Sequence, residues 1–95
     1  MAAGRVVVVG LGPAGADLLL PAARAALEAV DPGRRFTRTA RHPAVADLAA
    51  EGLDLIPCDD VYETATSADE VYQAISQRLL AAAGEEGDVA LAVPG

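Results

Sequence analysis

Residues 6–15 have the sequence VVVVGLGPAG, and this stretch decides the fold. The four consecutive valines lack polar–apolar alternation, which is typical of a strand buried on both faces of a parallel sheet. The turn that follows fits G-x-G-x-x-G, with Gly10, Gly12 and Gly15 at its glycine positions. The stretch therefore predicts a buried first strand and a turn whose backbone can approach a ligand closely.

The rest of the chain alternates helix and strand signals. Three helices are predicted to begin at Pro21, at His42-Pro43 and after the capping pattern of Ser67 and Glu70. The predicted strands are 6–9, 34–39, 53–56 and 89–93, with a turn at 84–88. The order β-α-β-α-β-α-β predicts an α/β fold, a mainly parallel sheet of four strands covered by three helices. Ligands bind such sheets at the carboxyl ends of the strands.

Composition excludes several classes of protein. A chain of 95 residues has room for one small domain, and its net charge of −7, from seven arginines, no lysine and fourteen acids, disfavours nucleic-acid binding. The single cysteine, Cys58, cannot form an internal disulfide. No apolar run approaches the ~20 residues of a membrane span, and no signal peptide is recognisable. We therefore predict a cytoplasmic protein without nucleic-acid or membrane partners.

Four of the seven arginines lie within eight residues: Arg34, Arg35, Arg38 and Arg41. Two interpretations are open. The segment is either a solvated arginine-rich loop or a patch for an anionic ligand or partner, because arginine suits carboxylates and phosphates.

The glycine turn alone also leaves alternatives open. The same string occurs in flavin-dinucleotide enzymes, but their fold requires an acidic residue at the end of the second strand to bind the ribose. Residues 36–41, FTRTAR, contain no acid. An anion- or dinucleotide-binding α/β domain, or a turn in which glycine serves sterics only, remains an alternative.

Five motifs occur in order along the chain: GLGPAGADLL at 10–19, RTARHP at 38–43, DDVYE at 59–63, DEVYQAI at 69–75 and AVPG at 92–95. Together they resemble the tetrapyrrole (corrin/porphyrin) methylases. They most resemble the YabN-like branch, which forms the N-terminal domain of MazG-type nucleotide pyrophosphohydrolases. The resemblance implies that this chain is the N-terminal α/β subdomain of such a domain, without its C-terminal subdomain or a MazG module. It also implies a methyltransferase when full length and a chain that is inactive alone.

The resemblance further implies S-adenosyl-L-methionine as cofactor, in a cleft between two subdomains and held largely by backbone. The implied cofactor-binding positions are Gly10, Leu11, Gly12, Pro13, Val93, Pro94 and Gly95. The implied methyl-acceptor positions are Gly15, Asp17, Arg38, Thr39 and His42. Many relatives have Gly-Pro-Gly-Asp at the first loop, whereas Ala14 follows Pro13 here and the nearest acid is Asp17. No catalytic side chain is implied, because positioning supplies most of the rate in methyl transfer.

A non-catalytic regulatory or interaction module of a nucleoside triphosphate pyrophosphohydrolase is a second interpretation. In either case an incomplete domain exposes apolar surface at its strand ends, so we expect a homodimer or other self-association.

Single residues carry more modest predictions. His42 is expected to be structural at a helix start, with an acceptor contact as the alternative. Asp59, Asp60 and Glu63 are expected in a solvated loop without metal, and Cys58 as a small buried side chain. Tyr62 and Tyr72 are expected to pack in the core or at its rim.

Overall fold

The computed structural model describes residues 4–94 and contains one four-stranded parallel sheet. The strands are β1 Val6–Gly10, β2 Arg35–Thr37, β3 Ile56–Pro57 and β4 Val89–Val93. The helices are α1 Pro21–Glu28, α2 Pro43–Ala50, α3 Asp60–Thr64 and α4 Ala68–Glu86. The spatial order is β1-β4-β2-β3, so the last strand lies between the first two. The predicted α/β class and parallel sheet are confirmed.

Helices lie on both faces of the sheet, but they cover β1 only in part. Val9 is buried and Val8 is exposed, so the predicted burial of the whole valine run on both faces is wrong. Val7 and Val9 face a core formed with α1 and α2, which contains the fully buried Leu27 and Leu48. Val6 packs against the opposite core, where Ile75 and Leu79 of α4 meet the strands. Because side chains alternate along a strand, a strand between two helical layers needs apolar residues at every position.

β1 lies at an edge of the sheet and pairs with β4 from Val6↔Val89 to Gly10↔Val93. This parallel register places the glycine turn next to the residues that follow β4, at the carboxyl ends of the strands. α4 leaves part of β1 uncovered, so that Val8 is exposed over 64% of its surface.

Three element predictions are corrected by the structure. The third strand is Ile56–Pro57 instead of 53–56, because the N–H of Leu53 donates to the carbonyl of Leu48 at 2.9 Å and closes α2. The predicted turn at 84–88 is mostly helix, since α4 continues to Glu86. A single glycine costs a helix only about 1 kcal/mol, and Gly84 does not end it. Asp60 and Glu63 lie in the short helix α3, with Asp59 directly before it, instead of in the predicted solvated loop.

Other local predictions are confirmed. Gly52 follows α2 with φ +90°, a conformation that glycine adopts without strain. The Ser67 hydroxyl accepts from the N–H of Glu70 at 3.2 Å, as an N-cap does. Within residues 4–94, no helix has both the length and the apolar character that a membrane crossing demands.

Candidate functional site

The glycine turn and the end of β4 are directly joined. The N–H of Leu11 donates to the carbonyl of Val93 at 2.8 Å. The Leu11 side chain is buried in the core, so Leu11 offers a ligand no side chain and no free N–H. Gly12, Pro13 and Pro94 remain accessible at the edge, whereas Gly95 lies outside the described residues. The structure thus brings the predicted cofactor positions 10–13 and 93–94 together.

The three glycines of the turn differ in what a side chain at each position would meet. Gly12 has φ +74°, which other residues rarely adopt. Gly15 has ordinary dihedral angles, but a Cβ built on it would lie 2.5 Å from Oδ2 of Asp47. Gly10 faces open space, with no atom within 4 Å of the position of a Cβ. Gly12 is therefore required by its backbone conformation and Gly15 by its close contact with Asp47. Gly10 has neither constraint and leaves open space beside the main chain.

Helix α2 holds the turn at two points. The Nε2 atom of His42 lies 2.5 Å from the carbonyl oxygen of Gly12. Asp47 Oδ2 accepts from the N–H of Ala16 at 3.0 Å. A helix thirty residues along the chain thereby fixes the path of the first loop.

The two contacts of His42 define its tautomer. Its Nδ1 accepts from the N–H of Ala44 at 3.1 Å and caps α2, so the hydrogen is on Nε2, which donates to Gly12. The ring is buried and both nitrogens are engaged. The predicted structural role is thus observed, and the contact with Gly12 extends that role to the glycine turn.

The arginine cluster divides into two pairs. Arg35 is buried and Arg34 is half-buried. Arg34 donates to the carbonyls of Ala82 and Gly87 near the end of α4, and Arg35 donates to the carbonyl of Leu27 near the end of α1, at 2.8 Å. A cation near the C-terminal end of a helix interacts favourably with the partial negative charge of the helix dipole there. Of these four arginines, only Arg38 and Arg41 are exposed. The four therefore form neither a solvated loop nor a single anion-binding patch.

Arg38 and Thr39 follow β2 along the same edge of the sheet. The Arg38 Nε donates to the Tyr62 hydroxyl at 2.9 Å, and the Thr39 hydroxyl accepts from the N–H of Arg41 at 3.1 Å. The Ala40 N–H donates to Asp59 at 2.8 Å and lowers the pKa of that carboxyl below its ordinary value, with a smaller effect from the Thr39 hydroxyl. These contacts connect the ends of β2 and β3. Because β4 lies between β1 and β2, they are separated from the glycine turn by one strand.

An apolar groove of about 710 Å³ lies between α4 and the exposed part of β1. Its walls include Val8, Tyr72, Leu80 and Leu91, and Arg38 and Tyr62 also line it. Tyr72 is 78% exposed and Tyr62 43%, so both tyrosines stand at the rim and not in the core.

Cys58 is buried, and its neighbour Asp60 is engaged in an ion pair. Cys58 is fully buried, and burial raises the pKa of its thiol, which disfavours the nucleophilic thiolate. Asp60 forms a two-pronged ion pair with Arg78 at 2.7 and 3.0 Å. Among the side chains that the structure describes, which leave out those of residues 84–86, no cluster of three or more metal-ligating groups occurs.

Sequence reasoning missed Asp47, the carboxylate nearest the turn. It attended to Asp17, which follows the motif; Asp17 Oδ1 would lie 3.2 Å from a Cβ on Gly15, farther than Asp47. The available signal is the position of Asp47 one turn after the start of α2 at Pro43, and it points to the glycine turn only when the docking of α2 is known.

The chain is similar to the Bacillus subtilis (strain 168) protein YabN, which is described as uncharacterized. The two are 37% identical over 93 residues, which is 98% of this chain and 18% of YabN. The chain is a relative of YabN. It spans less than a fifth of the length of that protein. No protein-family model matches the chain, and no solved structure matches it.

Proposed function

We propose that this chain forms part of an S-adenosyl-L-methionine site in a methyltransferase-like domain of the tetrapyrrole methylase type, in a YabN-like protein. The observation that carries the proposal is the contact between the glycine turn and the end of β4, through Leu11 and Val93. Two loops that the family resemblance implies for one cofactor lie side by side at the carboxyl ends of the parallel strands, where α/β folds bind ligands.

The residues at this edge fit a cofactor held by backbone. Gly10 leaves open space and Gly12 turns the chain without a side chain, so a ligand can approach the main chain closely. Pro13 and Pro94 are exposed beside them and offer rigid apolar surface. When bound, S-adenosyl-L-methionine supplies a methyl group on a sulfonium to a nucleophilic acceptor. The part of this chain would be to orient that group and exclude water from it.

The acceptor side of the site has fewer supporting contacts. Thr39 is engaged with its own loop, and His42 holds Gly12 with both ring nitrogens occupied. Asp17 and Arg38 are the predicted acceptor residues with exposed charged side chains, and Arg38 is the cation of the two. We propose that Arg38 contacts an anionic group of the acceptor.

The proposal is tested by nuclear magnetic resonance of the isotope-labelled chain titrated with S-adenosyl-L-methionine to millimolar concentration. We expect saturable shifts of the amides of Gly10, Gly12 and Val93. The variant Gly10→Val fills the open space and should abolish them, whereas the control Gly33→Ala, at a glycine without neighbours within 4 Å, should not. Absence of saturable shifts in the unmodified chain, or equal shifts in Gly10→Val, would contradict the proposal.

A non-catalytic interaction module is the second candidate, and the exposed apolar groove favours it. Val8, Tyr72 and Leu80 are each exposed over more than half of their surface, and such patches mark interaction sites in soluble proteins. In the pyrophosphohydrolase context that the sequence resembles, deletion of this region from the longer protein should then change hydrolase rate or oligomer size. An unchanged rate and size would contradict this candidate.

A further inference from the structure

We propose that His42 is a positioning residue of the proposed cofactor site, which acts through the carbonyl of Gly12 and holds the glycine turn in its ligand-binding shape before a ligand arrives. The inference deepens the proposed function, on which it rests for the existence of a ligand at the turn. It assigns His42 no contact with that ligand, because the residue is only 8% exposed.

The first step is the direction of the hydrogen bond between His42 and Gly12. The Nδ1 atom of His42 accepts from the N–H of Ala44 at 3.1 Å, so the neutral ring carries its hydrogen on Nε2 and donates it to the Gly12 carbonyl. His42 directly precedes α2. Its ring therefore links the first turn of this helix to the glycine turn and holds the carbonyl from a fixed direction.

The second step is the freedom of the segment that His42 contacts. Gly12 has φ +74°, and glycine loses more conformational freedom on folding than any other residue. Its carbonyl belongs to the peptide bond with Pro13, which has no N–H, so this peptide group can be held only through its oxygen. Among the residues that the structure describes, no other hydrogen bond is found at Gly12, Pro13 or Ala14. His42 is therefore the hydrogen-bond partner that fixes this part of the turn.

The third step is the place of this segment in the proposed site. The N–H of Leu11 donates to Val93 on one side of residues 12–14, and the N–H of Ala16 donates to Asp47 on the other. Residues 12–14 lie between these two fixed points and include two of the proposed cofactor positions. A loop that is ordered before binding spares the ligand the cost of ordering it, which raises affinity.

Two substitutions separate the contact with Gly12 from the capping of α2. His42→Ser keeps a side-chain acceptor for the N–H of Ala44, because serine is a good N-cap, but its hydroxyl is too short to reach Gly12. His42→Gln has the reverse design, because its longer side chain carries an N–H donor to the position of Nε2 and gives up the cap.

The first measurement is nitrogen-15 relaxation of the isotope-labelled chain without ligand. The amides of Gly12 and Ala14 should have order parameters of about 0.85 in the unmodified chain, as rigid backbone does. In His42→Ser they should fall below about 0.6, whereas the amides of α2 stay unchanged. In His42→Gln the turn should stay ordered while the first turn of α2 loosens. A residue that served only as a helix cap would give the opposite pattern.

The second measurement is the titration with S-adenosyl-L-methionine. We expect a dissociation constant about three to ten times higher in His42→Ser than in the unmodified chain, since the ligand must then order the loop. His42→Gln should bind as the unmodified chain does.

Equal turn order and equal affinity in His42→Ser and the unmodified chain would overturn the inference, as would mobile turn amides in the unmodified chain itself. Amide spectra verify that each variant is folded, and the unmodified chain and His42→Gln decide the question if His42→Ser is not. Absence of saturable shifts in the unmodified chain contradicts the proposed cofactor. The relaxation measurement needs no ligand and still decides whether His42 holds the turn.

Discussion

At the scale of single residues, the glycine turn shows that one motif can contain glycines of unlike purpose. Gly12 is required by its own dihedral angle, and Gly15 by a carboxylate from a distant helix. The sequence pattern cannot separate these reasons, because both appear as glycine. Substitution distinguishes the two reasons. The cost of an unfavourable backbone conformation does not depend on a neighbouring side chain, whereas the cost of a steric clash falls when the clashing side chain is removed.

Gly12→Ala should destabilise the chain by about 1–2 kcal/mol, the cost of a left-handed conformation for an L-residue. Gly15→Ala should cost about 1–3 kcal/mol, as overpacking does, but only while Asp47 is present. In an Asp47→Ala background the cost of Gly15→Ala should fall by about 1 kcal/mol or more, whereas that of Gly12→Ala should not change. Urea unfolding of the single and double variants measures these couplings.

Gly33→Ala is the matched control, because a Cβ there meets no atom within 4 Å. Its stability should equal that of the unmodified chain or exceed it by about 0.4–1 kcal/mol. An unchanged cost of Gly15→Ala in the Asp47→Ala background would show that Asp47 is not the reason for this glycine.

At the scale of elements, two adjacent arginines end two helices on opposite faces of the sheet. Arg34 directly precedes β2 and Arg35 is its first residue, so the two side chains point to opposite faces of the sheet, Arg35 towards α1 and Arg34 towards α4. Arg34 also donates through Nε to the carbonyl of Asp88 at 3.0 Å. Both guanidinium groups thus donate to carbonyls at or near the C-terminal end of a helix.

Arg34→Met should therefore destabilise the chain by about 1.5–3 kcal/mol, the usual value of hydrogen bonds to a charged group. The methionine keeps much of the apolar stem, so the loss reports the guanidinium. Arg41→Met, at an exposed position, should change stability by less than about 0.5 kcal/mol. Thermal and urea unfolding measure both. Equal effects of the two substitutions would contradict the assigned role of Arg34.

The same elements show what the sequence could predict. The valine run, the capping serine and the helix-ending glycine act over a few residues, and each was located from local chemistry. The docking of α2 on the turn, the helix caps by Arg34 and Arg35 and the insertion of β4 between β1 and β2 depend on contacts between distant segments. A cluster of arginines looks the same in sequence whether its members face solvent or a helix end. The proximity of the glycine turn to the end of β4 was therefore predictable from the sequence, whereas the contact of Asp47 with the turn was not.

At the scale of the whole molecule, acid should weaken the fold. Four carboxyl groups have pKa values below their ordinary range: Asp59, Asp60, Glu70 and Asp88. N–H groups of Ala40 and Thr66 lower the pKa of Asp59 and Glu70, and arginine side chains lower that of Asp60 and Asp88. The unfolded chain binds these protons more tightly, so their stabilisation is complete above about pH 4.5 and is lost as pH falls through the lowered folded-state values.

Unfolding by urea at a series of pH values checks this expectation. Stability should be constant between neutral pH and about pH 5, and fall below about pH 4. Asp59→Asn keeps an oxygen for the N–H of Ala40 and cannot titrate, so its stability should fall less over the same interval. Stability that rises on acidification, or an identical slope in Asp59→Asn, would contradict the assignment.

The apolar groove determines how the molecule behaves with others of its kind. Val8, Tyr72 and Leu80 face solvent beside a sheet edge whose strand is all valine and glycine, without the charged or proline residues that keep edges apart. Burial of this surface is favourable at about 25 cal/mol per Å². We therefore expect light scattering to give a mass above the 9.6 kDa of one chain at raised concentration. Leu80→Gln should lower that mass.

Leu18→Gln tests whether the groove itself is responsible. Leu18 is as exposed as Leu80, at 71% against 64%, but it lies beside the glycine turn and not among the residues that line the groove. If apolar exposure alone drove association, both substitutions would lower the measured mass equally. Association through the groove requires Leu80→Gln to act and Leu18→Gln to leave the mass unchanged, and a monomer at every concentration would contradict self-association altogether.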